Sequence, residues 1–214
     1  VIIATGVLPR DPEIPTAEGA HVVSYIDILT GRETAGERVA VIGAGGIGFD
    51  VAEYLTHDGE SPAENLQLWL EEWGVADPEE HRAGLEPEGP KPSPSPRKVS
   101  LFQRKAEKPG KRLGKTTGWI HRASLAMKGV KMVGGVSYER ISAEGLHLRQ
   151  ADGSEDVFAC DTVVLCAGQI SDRSLADALE AYGISAHVIG GADVAAELDA
   201  KRAIDQGSRL AACL

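Results

Sequence analysis

Arg38-Val-Ala-Val-Ile-Gly-Ala-Gly-Gly-Ile-Gly48 runs an apolar strand straight into a Gly43-x-Gly45-x-x-Gly48 loop, and a helical apolar pattern (Phe49, Val51, Ala52, Leu55) follows it. Each glycine has a separate physical reason. Gly43 permits the tight turn, Gly45 lets the backbone approach a pyrophosphate, and Gly48 lets helix and strand pack closely. The helix start then offers free N–H groups and the positive end of its dipole. Gly43, Ala44, Gly45, Gly46, Ile47 and Gly48 are therefore expected to hold a dinucleotide.

Outward from this unit the chain alternates strand and helix. The next apolar strand, Lys98–Gln103, begins about sixty residues after Arg38, where a minimal βαβ unit needs about thirty. An insertion at about 57–97 is expected. Its first part, Glu64–Trp73, sets Leu66, Trp69, Leu70 and Trp73 at i, i+3, i+4 and i+7. That stripe should face apolar surface, either local core or a domain outside this segment. Its second part, Pro87–Pro96, is proline-rich and reads as an extended strap without regular structure.

Residues 1–6 read as a short strand followed by a proline-rich loop, and Ser24 as the cap of a short helix over 24–29. After Gln103 come a basic loop from Arg104 to Lys115, a helix over Thr117–Met127 and a strand at Val130–Val133. A hairpin over Tyr138–Ser142 and Leu146–Arg149 and a buried strand in Asp161–Gly168 follow. Helices are expected at 174–182 and 198–212. This order is α/β: a Rossmann-like parallel sheet carrying a small antiparallel crossover.

The end of the second strand decides the nucleotide. Domains that select NAD place an Asp or Glu there to hold the ribose 2′-OH. Here the strand ends in Gln103-Arg104-Lys105, with no acid and two cations. A guanidinium fork beside an ammonium suits the 2′-phosphate of NADPH. Arg104, Lys105, Lys108, Lys111, Arg112 and Lys115 form the one dense basic run in a chain of net charge −10. Arg104, Lys105 and Lys115 are expected to contact NADPH. Gly114-Lys115-Thr116 imitates the tail of an ATP-binding P-loop, but Pro109 stands where that motif needs its first glycine, so ATP is not expected.

Val1-Ile-Ile-Ala-Thr-Gly6 and Val163-Val-Leu-Cys-Ala-Gly168 share a pattern: an apolar strand ending in a small residue and glycine, where backbone can pass near a ligand. With Gly190-Gly-Ala-Asp193 they flank the glycine unit. The arrangement resembles the two-dinucleotide-domain flavoprotein reductases, in which an NAD(P)H domain is inserted into an FAD domain. The resemblance implies a partial FAD-binding domain at 1–35, an NADPH-binding domain at 36–169 and the rest of the FAD domain at 170–214. It also implies cofactor contacts from Ala4, Thr5, Gly6, Ala167 and Gly168. Asp193 would present a carboxylate to the FAD ribityl hydroxyls, with the following helix aimed at the flavin. The chain begins on a strand already under way, without Met, and reads as a piece of a longer polypeptide; the glycine motif for FAD would precede Val1.

A finer resemblance rests on Gly59-Glu-Ser, Glu72-Trp-Gly, Ser95-Pro-Arg97, Gln103-Arg-Lys105, Leu113-Gly-Lys-Thr-Thr-Gly-Trp-Ile-His-Arg122, Gly129-Val-Lys-Met and Gly134-Gly-Val-Ser-Tyr138. Over essentially its whole length the chain resembles the C-terminal part of the bacterial NADPH-dependent 2,4-dienoyl-CoA reductases. These belong to the flavin oxidoreductase family that also holds trimethylamine dehydrogenase and 2-enoate reductase. The resemblance implies fatty-acid β-oxidation chemistry, in which electrons pass from NADPH through FAD to a 4Fe–4S cluster and FMN. Cluster, FMN and dienoyl-CoA site would lie in an N-terminal barrel, the expected partner of this chain. Another NAD(P)H:flavin reductase of the family and a redox-inactive dinucleotide sensor remain open, because binding residues look alike in all three.

Composition narrows the classes. Hydrophobic residues at 43% and charged residues at 25% of 214 are those of a globular chain. The net charge of −10 argues against nucleic acid or an anionic membrane as a general partner. No apolar run reaches the length of a membrane span and no signal-peptide pattern opens the chain. Cys160, Cys166 and Cys213 form no C-x-x-C, which opposes a thioredoxin-reductase-type dithiol, zinc or a cluster within this segment and fits a reducing, cytoplasmic setting. No catalytic side chain and no metal ligand are expected; the cofactors would carry the chemistry.

Overall fold

The computed structural model describes residues 1–196 and 199–214. They form two compact units, Val1–Pro12 with Ala167–Leu214, and Glu13–Cys166. The smaller unit opens the chain with β1 (Ile2–Ile3) and β2 (Val7–Pro9). The larger unit then runs β3 (Val22–Ser24), α1 (Tyr25–Leu29), β4 (Arg38–Ile42), α2 (Gly46–Leu55), α3 (Leu66–Trp73), β5 (Lys98–Gln103), α4 (Gly118–Met127), β6 (Lys131–Gly134), β7 (Ser137–Ser142), β8 (Gly145–Arg149), β9 (Glu155–Phe158) and β10 (Thr162–Leu165). The chain returns to the smaller unit with β11 (Gln169–Ser171), α5 (Ser174–Ala181), β12 (His187–Val188), a 3-10 turn at Gly190–Ala192 and α6 (Ala200–Ala211). The sequence pattern starts the final helix at 198; Leu198 lies outside the described residues.

The larger unit is a parallel sheet in the order β3-β10-β4-β5-β6, with the antiparallel meander β7-β8-β9 as the crossover before β10. Val39, Val41, Leu101 and Val164 of its inner strands share one core with Phe49, Val51, Ala52 and Leu55 of α2 and Leu125 of α4. Strands buried on both faces read as continuous apolar runs, which is why β4 and β5 are legible in the sequence. Ser24 caps α1 by accepting from the Asp27 N–H at 3.2 Å.

The compact units divide at 12/13 and 166/167, while the resemblance to the two-dinucleotide-domain flavoproteins implies cofactor domains meeting at 35/36 and 169/170. The reason is β3, which pairs in parallel with β10 (Val23 opposite Val164) and so draws residues 13–35 into the larger sheet. Short strands also stand where the sequence suggests none: β2 and β11, which pair antiparallel with each other, and β9, which completes the meander.

The insertion differs from its reading in one respect. α3 forms with Asn65 as N-cap and Gly74 as a left-handed C-cap, and Pro87–Pro96 has no regular structure. Yet Leu66 and Trp69 stand exposed, and the residue that α3 buries is Glu72. Lys128, the C-cap of α4, meets it, Nζ lying 3.2 Å from Oε1 with both side chains over nine-tenths buried. The contact lacks hydrogen-bond direction, leaving Glu72 Oε1 without a donor. An ion pair holds the insertion helix to α4 where the sequence pattern offers an apolar stripe for that role.

Candidate dinucleotide-binding site

β4 leaves the core at Ile42, and Gly43 turns the chain with φ of +117°, its N–H donating to Phe102 O at 2.8 Å. Gly45 is the N-cap of α2 in extended conformation, and no side chain closes the helix start. A Cβ at Gly45 or Gly46 would meet nothing within 4 Å. At Gly48 it would lie 1.7 Å from Gly43 O, so helix and turn touch backbone to backbone. Ala44 and Ile47 pack down onto the core. The result is an open, uncapped helix start, with no acid in its first turn, at the carboxyl end of the sheet. Its first-turn N–H groups and the positive end of its dipole face open space, an arrangement suited to an anion.

Ile42 is registered opposite Phe102, so Gln103, Arg104 and Lys105 leave β5 beside the Gly43 turn. The basic loop that follows is anchored from several sides. Gln103 Nε2 donates to Lys105 O at 2.9 Å and to Glu107 O. The Gly135 N–H also donates to Lys105 O, and a Cβ at Gly134 would crowd the Lys105 and Glu107 carbonyls at 3.0 Å. Further along, Arg122 of α4 donates to Gly110 O at 2.8 Å, and Gly110 sits where any Cβ would strike the ring of Phe49 on α2.

The loop's charges divide into two sets. Glu107 takes Arg112 at 3.1 Å and Lys111 at 3.4 Å. Partial burial acts to raise its carboxyl, but Arg112 and Lys111, with a smaller contribution from Lys105, outweigh it and hold the group below the usual carboxylate range. Arg104, Lys105, Lys108 and Lys115 are exposed and form no ion pair among the described residues. The charge of Arg104 still reaches Tyr138, whose phenol is driven up by burial and partly drawn back by the guanidinium. His121 pairs with Glu53 at 3.4 Å, bridging α4 and α2.

In the smaller unit, β1 and β12 run parallel (Ile3 opposite Val188), so Ala4–Gly6 and Gly190–Asp193 leave neighbouring strand ends together. A Cβ at Gly191 would meet Val7 Cγ1 at 2.8 Å and Gly6 C at 3.1 Å, so the two turns are packed together. Thr5 Oγ1 donates to Asp172 O at 2.6 Å. Asp193 is exposed, and Gln206 of α6 clamps its turn: Nε2 donates to Asp193 Oδ2 at 2.9 Å while Oε1 accepts the Gly190 N–H at 2.8 Å. Arg10 holds Ala167 and Gly168, donating from Nε to Ala167 O and from its backbone N–H to Gly168 O. Sequence reasoning misses Gln103, Arg10 and Gln206 in these roles. Each acts on backbone or side chains brought near by folding, and no spacing in the sequence marks it.

The strand ends thus present glycine-rich turns in both units, and in the larger unit the open start of α2 stands beside a cationic loop. A scan of protein families matches residues 1–201 to pyridine nucleotide-disulphide oxidoreductases. The chain belongs to the pyridine nucleotide-disulphide oxidoreductase family. Its fold is accordingly the Rossmann-type α/β fold of the two-dinucleotide-domain flavoproteins, a family that binds NAD(P)H and FAD. A curated relative, a metal reductase of Desulforamulus reducens, is 28% identical over 192 residues, covering 90% of this chain and 27% of that protein. Among solved structures, a 2-naphthoyl-CoA reductase complex has a TM-score of 0.71 at 22% identity, covering 98% of this chain and 26% of the other. Histamine dehydrogenase from Rhizobium sp. 4-9 has 0.70 at 20%, covering 98% and 30%. The chain spans about a quarter to a third of the length of these relatives.

These 214 residues contain no C-x-x-C. Cys160 and Cys166 are buried and Cys213 is exposed. Burial pushes the Cys166 thiol up to about 12, opposite to what a redox thiolate needs. Among the described residues no helix is long and apolar enough to cross a membrane.

Proposed function

We propose that Gly43–Gly48 and the loop after β5 bind NADPH, and that the protein is a flavin-dependent reductase drawing its electrons from NADPH by way of FAD. One observation carries this reading: an open, uncapped glycine–helix start stands beside a strand end that offers Arg104 and Lys105 and no carboxylate. The first-turn N–H groups of α2 hold the pyrophosphate, the Arg104 fork and Lys105 take the 2′-phosphate, and Lys115 adds positive charge nearby. In this reading the larger unit is the NADPH-binding domain and the smaller unit belongs to an FAD-binding domain. There Ala4, Thr5, Gly6, Ala167 and Gly168 line the flavin nucleotide with backbone, and Asp193, oriented by Gln206, accepts from the ribityl hydroxyls. When bound, NADPH would be the two-electron reductant, giving a hydride to the flavin and becoming NADP⁺; the chain's own part is binding, orientation and electrostatics.

The finer reading is a 2,4-dienoyl-CoA reductase whose N-terminal barrel carries FMN and a 4Fe–4S cluster. It is supported by where the resembling segments lie: Gln103–Lys105, Leu113–Arg122 and Gly134–Tyr138 form the basic loop, its exit and its supports. Among the described residues no group of three or more His, Cys, Asp or Glu is placed to hold a metal, so a cluster would need ligands from elsewhere in the polypeptide.

The test is anaerobic titration of the full-length protein with NADPH and with NADH, following the oxidised flavin band, then addition of an acceptor. Bleaching by NADPH in preference to NADH, reversed by a dienoyl-CoA, supports the full reading. Reversal by a ferric salt alone would favour metal reduction, the activity named for the 28%-identical relative. NADPH binding without any flavin band would leave a sensor.

A further inference from the structure

The side chain that ends β5 faces two carbonyl oxygens. Gln103 Nε2 donates to both Lys105 O and Glu107 O, closing the chain reversal from which Arg104 and Lys105 project. The same two carbonyls lie against Gly134, and Lys105 O also receives the Gly135 N–H. The neighbouring strand end thus holds the same carbonyls in place from the other side. An amide can satisfy this arrangement because its nitrogen carries two N–H groups; an ionised carboxylate has none and would set negative charge against two acceptors.

Resting on the NADPH reading above, we propose that Gln103 is a positioning residue for 2′-phosphate selectivity: its amide builds the basic loop. The position that would carry a ribose-selecting acid is here the structural anchor of the cationic loop. Selectivity follows: Gln103→Glu does not convert the site to NADH, because the carboxylate releases the loop before it can serve the ribose. The loop's cations then keep their charge and lose their place.

The experiment measures Kd for NADP⁺ and NAD⁺ by calorimetry on the purified protein, comparing wild type with Gln103→Glu, Gln103→Met and Arg104→Ala. NADP⁺ is chosen because it survives mild acid. Loss of two neutral hydrogen bonds that order the loop should weaken NADP⁺ about 10-fold or more in Gln103→Met. Gln103→Glu should fall at least as far at pH 7.5 without strengthening NAD⁺. As pH falls, protonation of the introduced carboxylate restores one donor, so the Gln103→Glu deficit relative to wild type should shrink, whereas the Gln103→Met deficit stays constant. A merely structural loss of stability would give both variants the same pH profile. Tighter NAD⁺ binding by Gln103→Glu, or wild-type NADP⁺ affinity in Gln103→Met, would overturn the proposal. If Arg104→Ala weakens NADP⁺ and Gln103→Met does not, this inference fails alone; if wild type does not prefer NADP⁺, both readings fail.

Discussion

Gly45 and Gly48 lie three residues apart in one loop, yet the structure assigns their glycines to different needs, and substituting each should separate binding from folding. At Gly48 a methyl group would sit 1.7 Å from Gly43 O, where ordinary contact begins at 3.4 Å, so α2 and the turn would have to part by about 1.7 Å. That movement is resisted by Phe49, Val51, Ala52 and Leu55, all at most 1% exposed. Overpacking of this kind costs up to about 3 kcal/mol, or a melting temperature lower by about 6–12 °C for a chain of this size. Gly45 is extended and open, so Gly45→Val loses about 1 kcal/mol or less of capping and about 4 °C at most. Its side chain would instead fill the space above the helix start. Two charge-assisted N–H bonds to phosphate are worth at least about 3 kcal/mol together, so NADPH should weaken about 150-fold or more. Calorimetric melting and titration of Gly48→Ala and Gly45→Val with NADPH read both effects. A Gly45→Val protein with normal melting and normal NADPH affinity, or a Gly48→Ala protein that melts like wild type, would refute the assignment.

Arg104→Ala should weaken NADPH about 10- to 150-fold and leave NADH nearly unchanged; equal losses would place Arg104 away from the 2′-phosphate. Breaking the buried pair with Lys128→Met should destabilise by about 3–5 kcal/mol, because the Glu72 charge is left alone, and adding Glu72→Leu should recover most of it in urea unfolding. Asp161 is held below the usual carboxylate range by hydrogen bonds from the Arg38 side chain and backbone. Its stabilisation is therefore present above the unfolded value near 3.8 and lost as pH falls through the lower folded value, so Asp161→Asn should flatten the acid limb of stability below about pH 4. A polypeptide of these 214 residues alone should bind NADPH yet purify without stoichiometric FAD, since its one G-x-G-x-x-G unit is assigned to NADPH; a yellow preparation would reassign Gly43–Gly48 to FAD.

The apolar strands, the glycine unit and the helix at 118–127 are legible because each is specified by residues adjacent in the chain. Burial on both faces makes β4 a continuous apolar run and β5 one interrupted only by Ser100, and Gly43, Gly45 and Gly48 answer to a turn and a close approach that span only a few residues. The absence of an acid after β5 and the density of cations to Lys115 are likewise properties of a short segment. Short edge strands are another matter. β2, β3 and β9 become strands through the partners they meet, β11, β10 and β8, and a run of three or four residues carries little signal of its own. Residues 13–35 join the larger compact unit through β3 for that reason.

By itself, then, the sequence determined the α/β class, the glycine-rich strand–helix turn and the cationic strand end, all of them local patterns with a fixed period or spacing. The tertiary structure alone decided which cations form ion pairs with Glu107, that Glu72 and not the tryptophan stripe is the buried face of α3, and that Gln103, Arg10 and Gln206 hold the turns. Those are contacts between residues distant along the chain or on opposite sides of a loop. Their geometry exists once the sheet has set its register, and no residue type announces it beforehand.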